Sequence, residues 1–163
     1  MILIIAYGNP LREDDGAGLA LAYKLDAALR HPGLVTRRIE TQQLLPELAA
    51  DIASDQTQAV VFADARVALS PDEQVTVTSL TSSRAASPSL GHHLDPEALL
   101  TYAGALYYRT IPPAWLVTVP GWRFGFGETL SAQTQDAISI ALNDPESQLQ
   151  WLVADLHRLH GMP

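Results

Sequence analysis

The chain has 163 residues, of which 47% are hydrophobic and 17% are charged, and this balance excludes a disordered chain. Acidic residues outnumber basic residues by 18 to 10, and the resulting net charge of −8 makes nucleic acid and anionic membranes poor partners. The absence of cysteine excludes disulfides, cysteine-ligated metal sites and thiol nucleophiles. We therefore expect one globular domain over residues 1–163.

The first predicted element is the apolar run Ile2–Tyr7, which ends at a turn formed by Gly8, Asn9 and Pro10. The run has no basic segment before it and is too short for an export signal or a membrane span, so we expect a soluble, cytoplasmic protein. A continuous apolar run of this length is typical of a central parallel strand that is covered on both faces.

The rest of the sequence alternates between strand-like and helix-like segments. Short apolar or alternating runs predict further strands over residues 35–40, 59–64, 74–80 and 114–119. Helical spacing of apolar residues predicts helices over residues 14–29, 44–52, 96–108, 131–142 and 145–160. The alternation within 74–80 favours an antiparallel edge strand, and Ser131 is predicted to cap the helix that follows it. Residues 81–91, rich in serine, alanine and proline, are predicted to form a flexible surface loop.

This order of elements predicts an α/β fold. We expect a three-layer α/β/α sandwich around a mostly parallel, twisted sheet of about five strands, one of them antiparallel. Ligands of such sheets bind beyond the carboxyl ends of the strands. That rule selects two places in this chain, the turn after Tyr7 and the turn after Asp64.

Three consecutive carboxylates, Glu13, Asp14 and Asp15, follow the first strand. Their charge and the spacing of the glycines exclude both a dinucleotide fingerprint and a phosphate-binding loop. Glu13 and Asp14 are interpreted as acidic residues of a first helical turn, where they would cap free N–H groups and complement the helix dipole. Asp15 is interpreted as functional, because Gly16 and Gly18 beside it allow close approach of another backbone or of a ligand.

Asp64 follows a buried strand, where a carboxylate is costly unless it is paired, hydrogen-bonded or bound to a metal. Its structural interpretation is a cap for the next turn or a partner for Arg66. Adjacent parallel strands would instead bring Asp15 and Asp64 to the same edge of the sheet, which favours a function for both.

The pair His92 and His93 lies at the end of the predicted flexible loop, where histidines are usually solvated. His31 precedes a turn, and His157 and His160 lie on the last predicted helix. Two carboxylates and one imidazole would form an incomplete metal site with open positions, and this donor set suits a divalent transition metal better than magnesium.

Other features carry less information. The serines lack a G-x-S-x-G motif, so a serine hydrolase has no support. Trp122, Phe124 and Phe126, in a glycine-rich loop after the predicted fifth strand, would either line a pocket for a peptide or close the core.

Residues 8–18 resemble the signature loop of the nickel–iron hydrogenase maturation endopeptidases. The resemblance continues in order through residues 43–48, 61–65, 92–100 and 126–131, and so covers most of the chain. Two departures are mild. Ala6 replaces the first glycine of the family's Gly-x-Gly-Asn pattern, and Asp15 stands where some members carry glutamate.

The resemblance implies an endopeptidase that removes a C-terminal extension from the precursor of the hydrogenase large subunit after nickel insertion. The family's metal-contacting roles fall on Asp15, Asp64 and His92, with His93 as the alternative histidine. Nickel would be carried by the substrate, so the free chain need hold none, and no organic cofactor is implied. We expect a monomer. The carboxylates Asp15 and Asp64 would activate water, act through the nickel, or only sense it, and the sequence leaves these three roles open.

Two other functions compete with this one. A phosphoacceptor signalling domain has a similar arrangement of acidic residues, but it needs a lysine near the end of its last strand. The only lysine of this chain, Lys24, lies in the first predicted helix. A non-catalytic module that docks on the hydrogenase precursor is the stronger alternative, although the presence of all three candidate residues favours the enzyme.

Overall fold

The computed structural model describes residues 1–81, 94–159 and 161. The described strands are β1 (Ile2–Tyr7), β2 (Thr36–Thr41), β3 (Ala59–Val67), β4 (Thr76–Leu80) and β5 (Ala114–Gly121). The described α-helices are α1 (Ala17–Ala28), α2 (Leu48–Ile52), α3 (Pro96–Tyr107), α4 (Ala132–Asn143) and α5 (Gln148–Leu159). A turn of 3₁₀ helix, Glu13–Gly16, precedes α1.

The strands of the described part form one sheet in the order β2-β1-β3-β5-β4. The pairs β1–β2, β1–β3 and β3–β5 are parallel, whereas β4 is antiparallel to β5 at one edge. The predicted α/β fold with a mostly parallel sheet and one antiparallel edge strand is confirmed.

Alternate residues of the central strands pack into two separate hydrophobic clusters, one on each face of the sheet. On one face, residues such as Ile4 and Val61 pack with the apolar sides of α1, α4 and α5. On the other face, residues such as Ile5 and Phe62 pack with α2 and α3. Because both faces of β1 and β3 are covered, these strands are apolar throughout their buried length, as a central parallel strand requires.

The elements differ from the predicted ones mainly at their ends. The predicted first helix, 14–29, begins as the 3₁₀ turn, and its α-helical part starts at Ala17. The predicted third strand, 59–64, continues to Val67 because β5 pairs with it as far as Gly121. Asp64 therefore lies within β3, not at its end. Its neighbour β1 pairs with β3 only as far as Ala63, so Asp64 marks the point where one side of β3 becomes open.

Helix α1 lies directly on the backbone of β3, and Gly18 makes this possible. A Cβ atom at Gly18 would lie 2.7 Å from the carbonyl oxygen of Ala63 and 2.8 Å from the Cα atom of Asp64. Both distances are shorter than a carbon atom tolerates without movement of the backbone. The close approach expected from the glycines of the first loop is thus made to the strand that carries Asp64.

Among the described residues, no helix has both the length and the apolar character needed to cross a membrane.

Replacing Gly18 with alanine should destabilise the chain by about 1–3 kcal/mol, because the added methyl group overlaps backbone atoms that cannot rotate away. Urea denaturation followed by circular dichroism measures the change. Gly104→Ala is the matched control, since its Cβ would meet mainly the flexible side chain of Ile111 at 3.2 Å. The helix propensity of alanine should keep that variant close to the parent in stability. Equal stability of the two variants would contradict the close packing of α1 on β3.

Candidate functional site

Asp15 and Asp64 lie at the same end of the sheet and are both half-buried. Asp15 belongs to the 3₁₀ turn, and its Oδ2 atom accepts a hydrogen bond of 2.9 Å from the backbone N–H of Asn9. In β3, the Oδ1 atom of Asp64 accepts a hydrogen bond of 2.8 Å from the N–H of Ala65. The structure therefore brings the two predicted carboxylates to the same end of the sheet, one in the 3₁₀ turn and one in β3, and a backbone N–H donates to each.

The environment of Asp64 favours its protonated form. Burial is the main cause that raises the pKa of Asp64 to about 6, and the negative charge of Asp15 adds to it. Hydrogen bonds from the Ala65 N–H and the Tyr7 hydroxyl act in the opposite direction. A carboxyl group that titrates near neutral pH at the carboxyl edge of a parallel sheet is typical of a functional site.

The structural interpretation of Asp64 as a partner of Arg66 is wrong. Arg66 instead forms an ion pair with Glu73 and donates a hydrogen bond of 3.2 Å to the carbonyl oxygen of Gln74. Within the described part of the chain, Asp64 forms no ion pair with any basic side chain.

Asp14 has a structural role, but its partners differ from the predicted ones. The side chain is fully buried and caps neither the 3₁₀ turn nor α1. It accepts hydrogen bonds from the backbone N–H groups of Trp122 (2.8 Å), Arg123 (2.8 Å) and Ser131 (2.6 Å), and from the Ser131 hydroxyl at 2.7 Å. Burial alone would raise the pKa of Asp14, but these donors, led by Ser131, outweigh it and lower the pKa.

Glu13, the residue before Asp14, also binds the loop that contains Arg123 and Gly125. Its Oε2 atom accepts a hydrogen bond of 2.9 Å from the N–H of Gly125, and its carboxylate forms an ion pair with Arg123. The backbone of Glu13 has φ of 51°, the left-handed region that non-glycine residues seldom adopt. The predicted capping role of Glu13 in the first helical turn is therefore also wrong. Glu13 and Asp14 together fix residues 122–131 against the 3₁₀ turn, whereas the side chain of Asp15 accepts its hydrogen bond from Asn9.

The three loop aromatics have different surroundings. The indole N–H of Trp122 donates a hydrogen bond of 3.1 Å to the carbonyl oxygen of Ser70. Phe124 is half-buried and packs so closely on Gly121 that a Cβ there would lie 2.7 Å from its ring. Phe126 is 96% exposed. Trp122 and Phe124 thus brace the loop, and the three rings do not share one environment.

The predicted histidine ligands, His92 and His93, lie outside the described residues. The described chain resumes two residues before the start of α3, and Asp95 caps that helix by accepting a hydrogen bond of 2.7 Å from the N–H of Ala98. The negative charge of Asp95 contributes to the raised pKa of Tyr7, the last residue of β1. Over residues 1–81, 94–159 and 161, no three histidine or acidic side chains form a group able to hold a metal ion. The role of His92 stays a prediction.

Tyr7 is a residue of this site that the sequence did not single out. The predicted strand ended at Tyr7, and nothing in its residue type distinguished it from a core aromatic. It lies one residue beyond the paired residues Ala6 and Ala63, so its side chain leaves the sheet on the same face as that of Asp64. Burial, followed by the negative charge of Asp64, raises the pKa of Tyr7, so the phenol stays protonated. Only the register between β1 and β3 shows that Tyr7 lies next to Asp64, and the sequence alone does not reveal that register.

No protein-family model matches the chain, and no curated protein matches it significantly in sequence. Solved structures do match it over nearly its full length. The chain is similar to the NiFe hydrogenase maturation protease HycI from Thermococcus kodakarensis KOD1, with 21% identity and a TM-score of 0.59 over 96% of this chain and 92% of that one.

Two further structures are similar to the same degree. The hydrogenase maturating endopeptidase HybD from E. coli is 16% identical, with a TM-score of 0.61 over 96% of this chain and 92% of that one. The hydrogenase 2 maturation peptidase from Thaumarchaeota archaeon SCGC_AB-539-E09 is 19% identical, with a TM-score of 0.60 over 95% of this chain and 97% of that one. The chain therefore has the fold of the hydrogenase maturation proteases, and the resemblance found in the sequence is confirmed at the level of the fold.

Replacing Asp14 with alanine should destabilise the chain by about 3 kcal/mol or more, because several buried donors lose their acceptor together. Asp15→Ala is the matched control, since it removes one hydrogen bond, from Asn9, and should cost about 1 kcal/mol. Thermal and urea denaturation of both variants measure the difference. A larger loss in Asp15→Ala than in Asp14→Ala would contradict the division of roles between these neighbours.

Asp64 should make the chain less stable as the pH rises from about 4 to about 6. The pKa of Asp64 is about 6 in the folded chain, against 3.8 for a free aspartate side chain. Between these two pH values the carboxyl group ionises in the unfolded state but not in the folded state, so its ionisation stabilises the unfolded state. Asp64→Asn removes this difference. After screening by solvent is allowed for, the variant should gain about 1–3 kcal/mol relative to the parent over that interval. Denaturation of both proteins at several pH values tests this, and parallel pH curves would contradict it.

Proposed function

We propose that this protein is an endopeptidase that removes the C-terminal extension of a nickel–iron hydrogenase large-subunit precursor after nickel insertion. The observation that carries the proposal is the convergence of Asp15 and Asp64 at the carboxyl edge of the sheet, in a chain with the fold of the hydrogenase maturation proteases. We further propose that the protein works as a monomer in the cytoplasm, where its partner is the precursor.

Nickel enters this reaction as part of the substrate. Asp15 and Asp64 would contact it through carboxylate oxygens, and His92 would supply a nitrogen ligand. Asp64 suits this role because it is half-buried yet has no cationic partner among the residues that the structure describes. Two acidic groups held against each other attract a divalent cation more strongly than either would alone, since the cation relieves their mutual repulsion.

The electrostatics of Asp64 also support a role in proton transfer. A carboxyl group with a pKa of about 6 accepts a proton readily near neutral pH, which is the property required of a general base toward water. Nickel sensing and polarisation of the peptide by substrate nickel both use the ionised carboxylate. Both acidic residues would contact nickel, and Asp64 would in addition accept the proton from water.

The competing functions fit the described residues less well. A phosphoacceptor domain needs a lysine beside its acidic pair, whereas β5 ends with Pro120 and Gly121, and Lys24 is an exposed residue of α1. A docking module without activity would use the same surface. It has no requirement for an Asp64 whose pKa is displaced toward neutrality.

The purified protein should remove the C-terminal tail of a nickel-loaded precursor, and mass spectrometry of the precursor detects the loss. Asp15→Ala, Asp64→Ala and His92→Ala should each abolish processing, because each removes a proposed nickel contact. Far-UV circular dichroism should stay unchanged. Asp136→Ala, which removes an exposed carboxylate on α4, is the matched control and should process normally.

Two results would overturn this function. If the parent protein fails to shorten a precursor that a known processing enzyme shortens in the same buffer, the docking module is the better explanation. If Asp15→Ala or Asp64→Ala unfolds, the acidic pair is structural. His93→Ala distinguishes the two histidines, since processing should survive that change and be lost in His92→Ala.

A further inference from the structure

Strands β1 and β3 separate at the candidate site, while β3 continues alongside β5. The pairing of β1 with β3 ends at Ala6 and Ala63, whereas the pairing of β3 with β5 extends to Val67. Residues 64–67 of β3 therefore have a paired strand on one side only. An open strand edge presents backbone N–H and C=O groups to any extended chain that comes beside it.

The alternation of hydrogen bonds along β3 shows which backbone groups face this open side. In a parallel ladder, alternate residues direct their N–H and C=O groups to the same neighbouring strand. The N–H groups of Val60 and Ala68 donate, at 2.9 Å and 2.8 Å, to carbonyl groups at the two ends of β5. Because the register between them is uninterrupted, the even-numbered residues of β3 bond to β5. The N–H and C=O groups of Ala65 and Val67 therefore face the open side.

The two candidate carboxylates take the hydrogen bonds that a longer ladder between β1 and β3 would have used. A continued register would join the Ala65 N–H to β1 and the Asn9 N–H to the Ala65 carbonyl. Instead, the Ala65 N–H donates to Asp64 at 2.8 Å, and the Asn9 N–H donates to Asp15 at 2.9 Å. The carbonyl of Ala65 is thereby left without the donor that β1 would have supplied.

We propose that an extended segment of the precursor, next to the bond that is cut, binds as a short parallel strand along this open edge of β3. This inference rests on the proposed function. One residue of the segment would donate its N–H to the Ala65 carbonyl and accept a hydrogen bond from the Val67 N–H, as in other cases of strand addition. Because Ala65 directly follows Asp64, a segment bound in this way passes beside the carboxylate.

The size of the edge favours a peptide over a second copy of this chain. In the described part of β3, the open side offers only the backbone groups of Ala65 and Val67. A stable complex of two folded proteins buries about 800 Å² on each partner. The net charge of −8 on each copy would add repulsion between them. An extended tail can reach so short an edge, and Val67 is 65% exposed to it.

Val67→Pro removes the N–H that faces the open side and leaves the hydrogen bonds to β5 in place. It should raise KM for the precursor about 3–10-fold and leave kcat and the melting temperature unchanged. Glu40→Pro is the matched control and should keep the parent KM. Because the Thr41 carbonyl accepts from β1, the N–H of Glu40 faces outward at the far edge of the sheet. Arg66→Pro removes an N–H that bonds to β5 and should lower the melting temperature.

Amide hydrogen exchange, resolved to single residues by mass spectrometry, tests the edge without cleavage. In the free protein, the amide of Val67 should exchange faster than the amide of Arg66, which is bonded to β5. The variant His92→Ala, which should not process the precursor, keeps β3 unchanged. Nickel-loaded precursor added to this variant should slow exchange at Val67 about 10-fold or more.

The outcomes separate this inference from the function beneath it. A parent protein that does not process the precursor overturns the proposed function. With an active parent, an unchanged KM in Val67→Pro or unchanged exchange at Val67 with precursor overturns strand addition alone. A Val67 amide as protected as that of Arg66 in the free protein, or equal losses of melting temperature in their proline variants, overturns the open edge. Protection of Val67 that rises with the concentration of this chain alone identifies a second copy as the occupant and overturns the peptide.

Discussion

The buried carboxylate of Asp14 is the interaction on which the geometry of the site depends. It accepts its hydrogen bonds from Trp122, Arg123 and Ser131, so a turn near the start of the chain is fixed to a loop more than a hundred residues later. A charged group at zero exposure is tolerated only because backbone donors replace the water that it loses. Asp14 is held inward, and its neighbour Asp15 accepts its hydrogen bond from the backbone N–H of Asn9, just after the end of β1.

The close packing of α1 on β3 is a second constraint on the geometry of the site. Gly18 lets the helix approach until its backbone lies against Ala63 and Asp64, which sets the separation of the two carboxylates. The left-handed backbone at Glu13 provides the sharp change of direction between strand and helix. A strained backbone conformation persists only where the surrounding contacts hold it in place, and such conformations are common at functional sites.

The parts of the structure that depend on local chemistry could be predicted from the sequence. The limits of β1 and the cap at Ser131 follow from an apolar run, a turn and a capping residue, all within a few positions. The partners of Asp14 could not be predicted, because nothing near it in the sequence indicates a loop at residues 122–131. The continuation of β3 beyond Asp64 depends on pairing with β5, and the closeness of Tyr7 to Asp64, one residue beyond the last pair of β1 and β3, follows only from the register of the sheet.

The attachment through Asp14 has a consequence for synthesis on the ribosome. A nascent chain that has not yet emerged as far as Ser131 lacks two of the four hydrogen bonds that Asp14 accepts, so its acidic turn is held less firmly. The five strands and the helices α1, α2 and α3 all precede Ser131 in the chain, so they can assemble earlier. A truncated product that ends before Ser131 would therefore be folded in part and yet have an acidic turn that is not fully fixed.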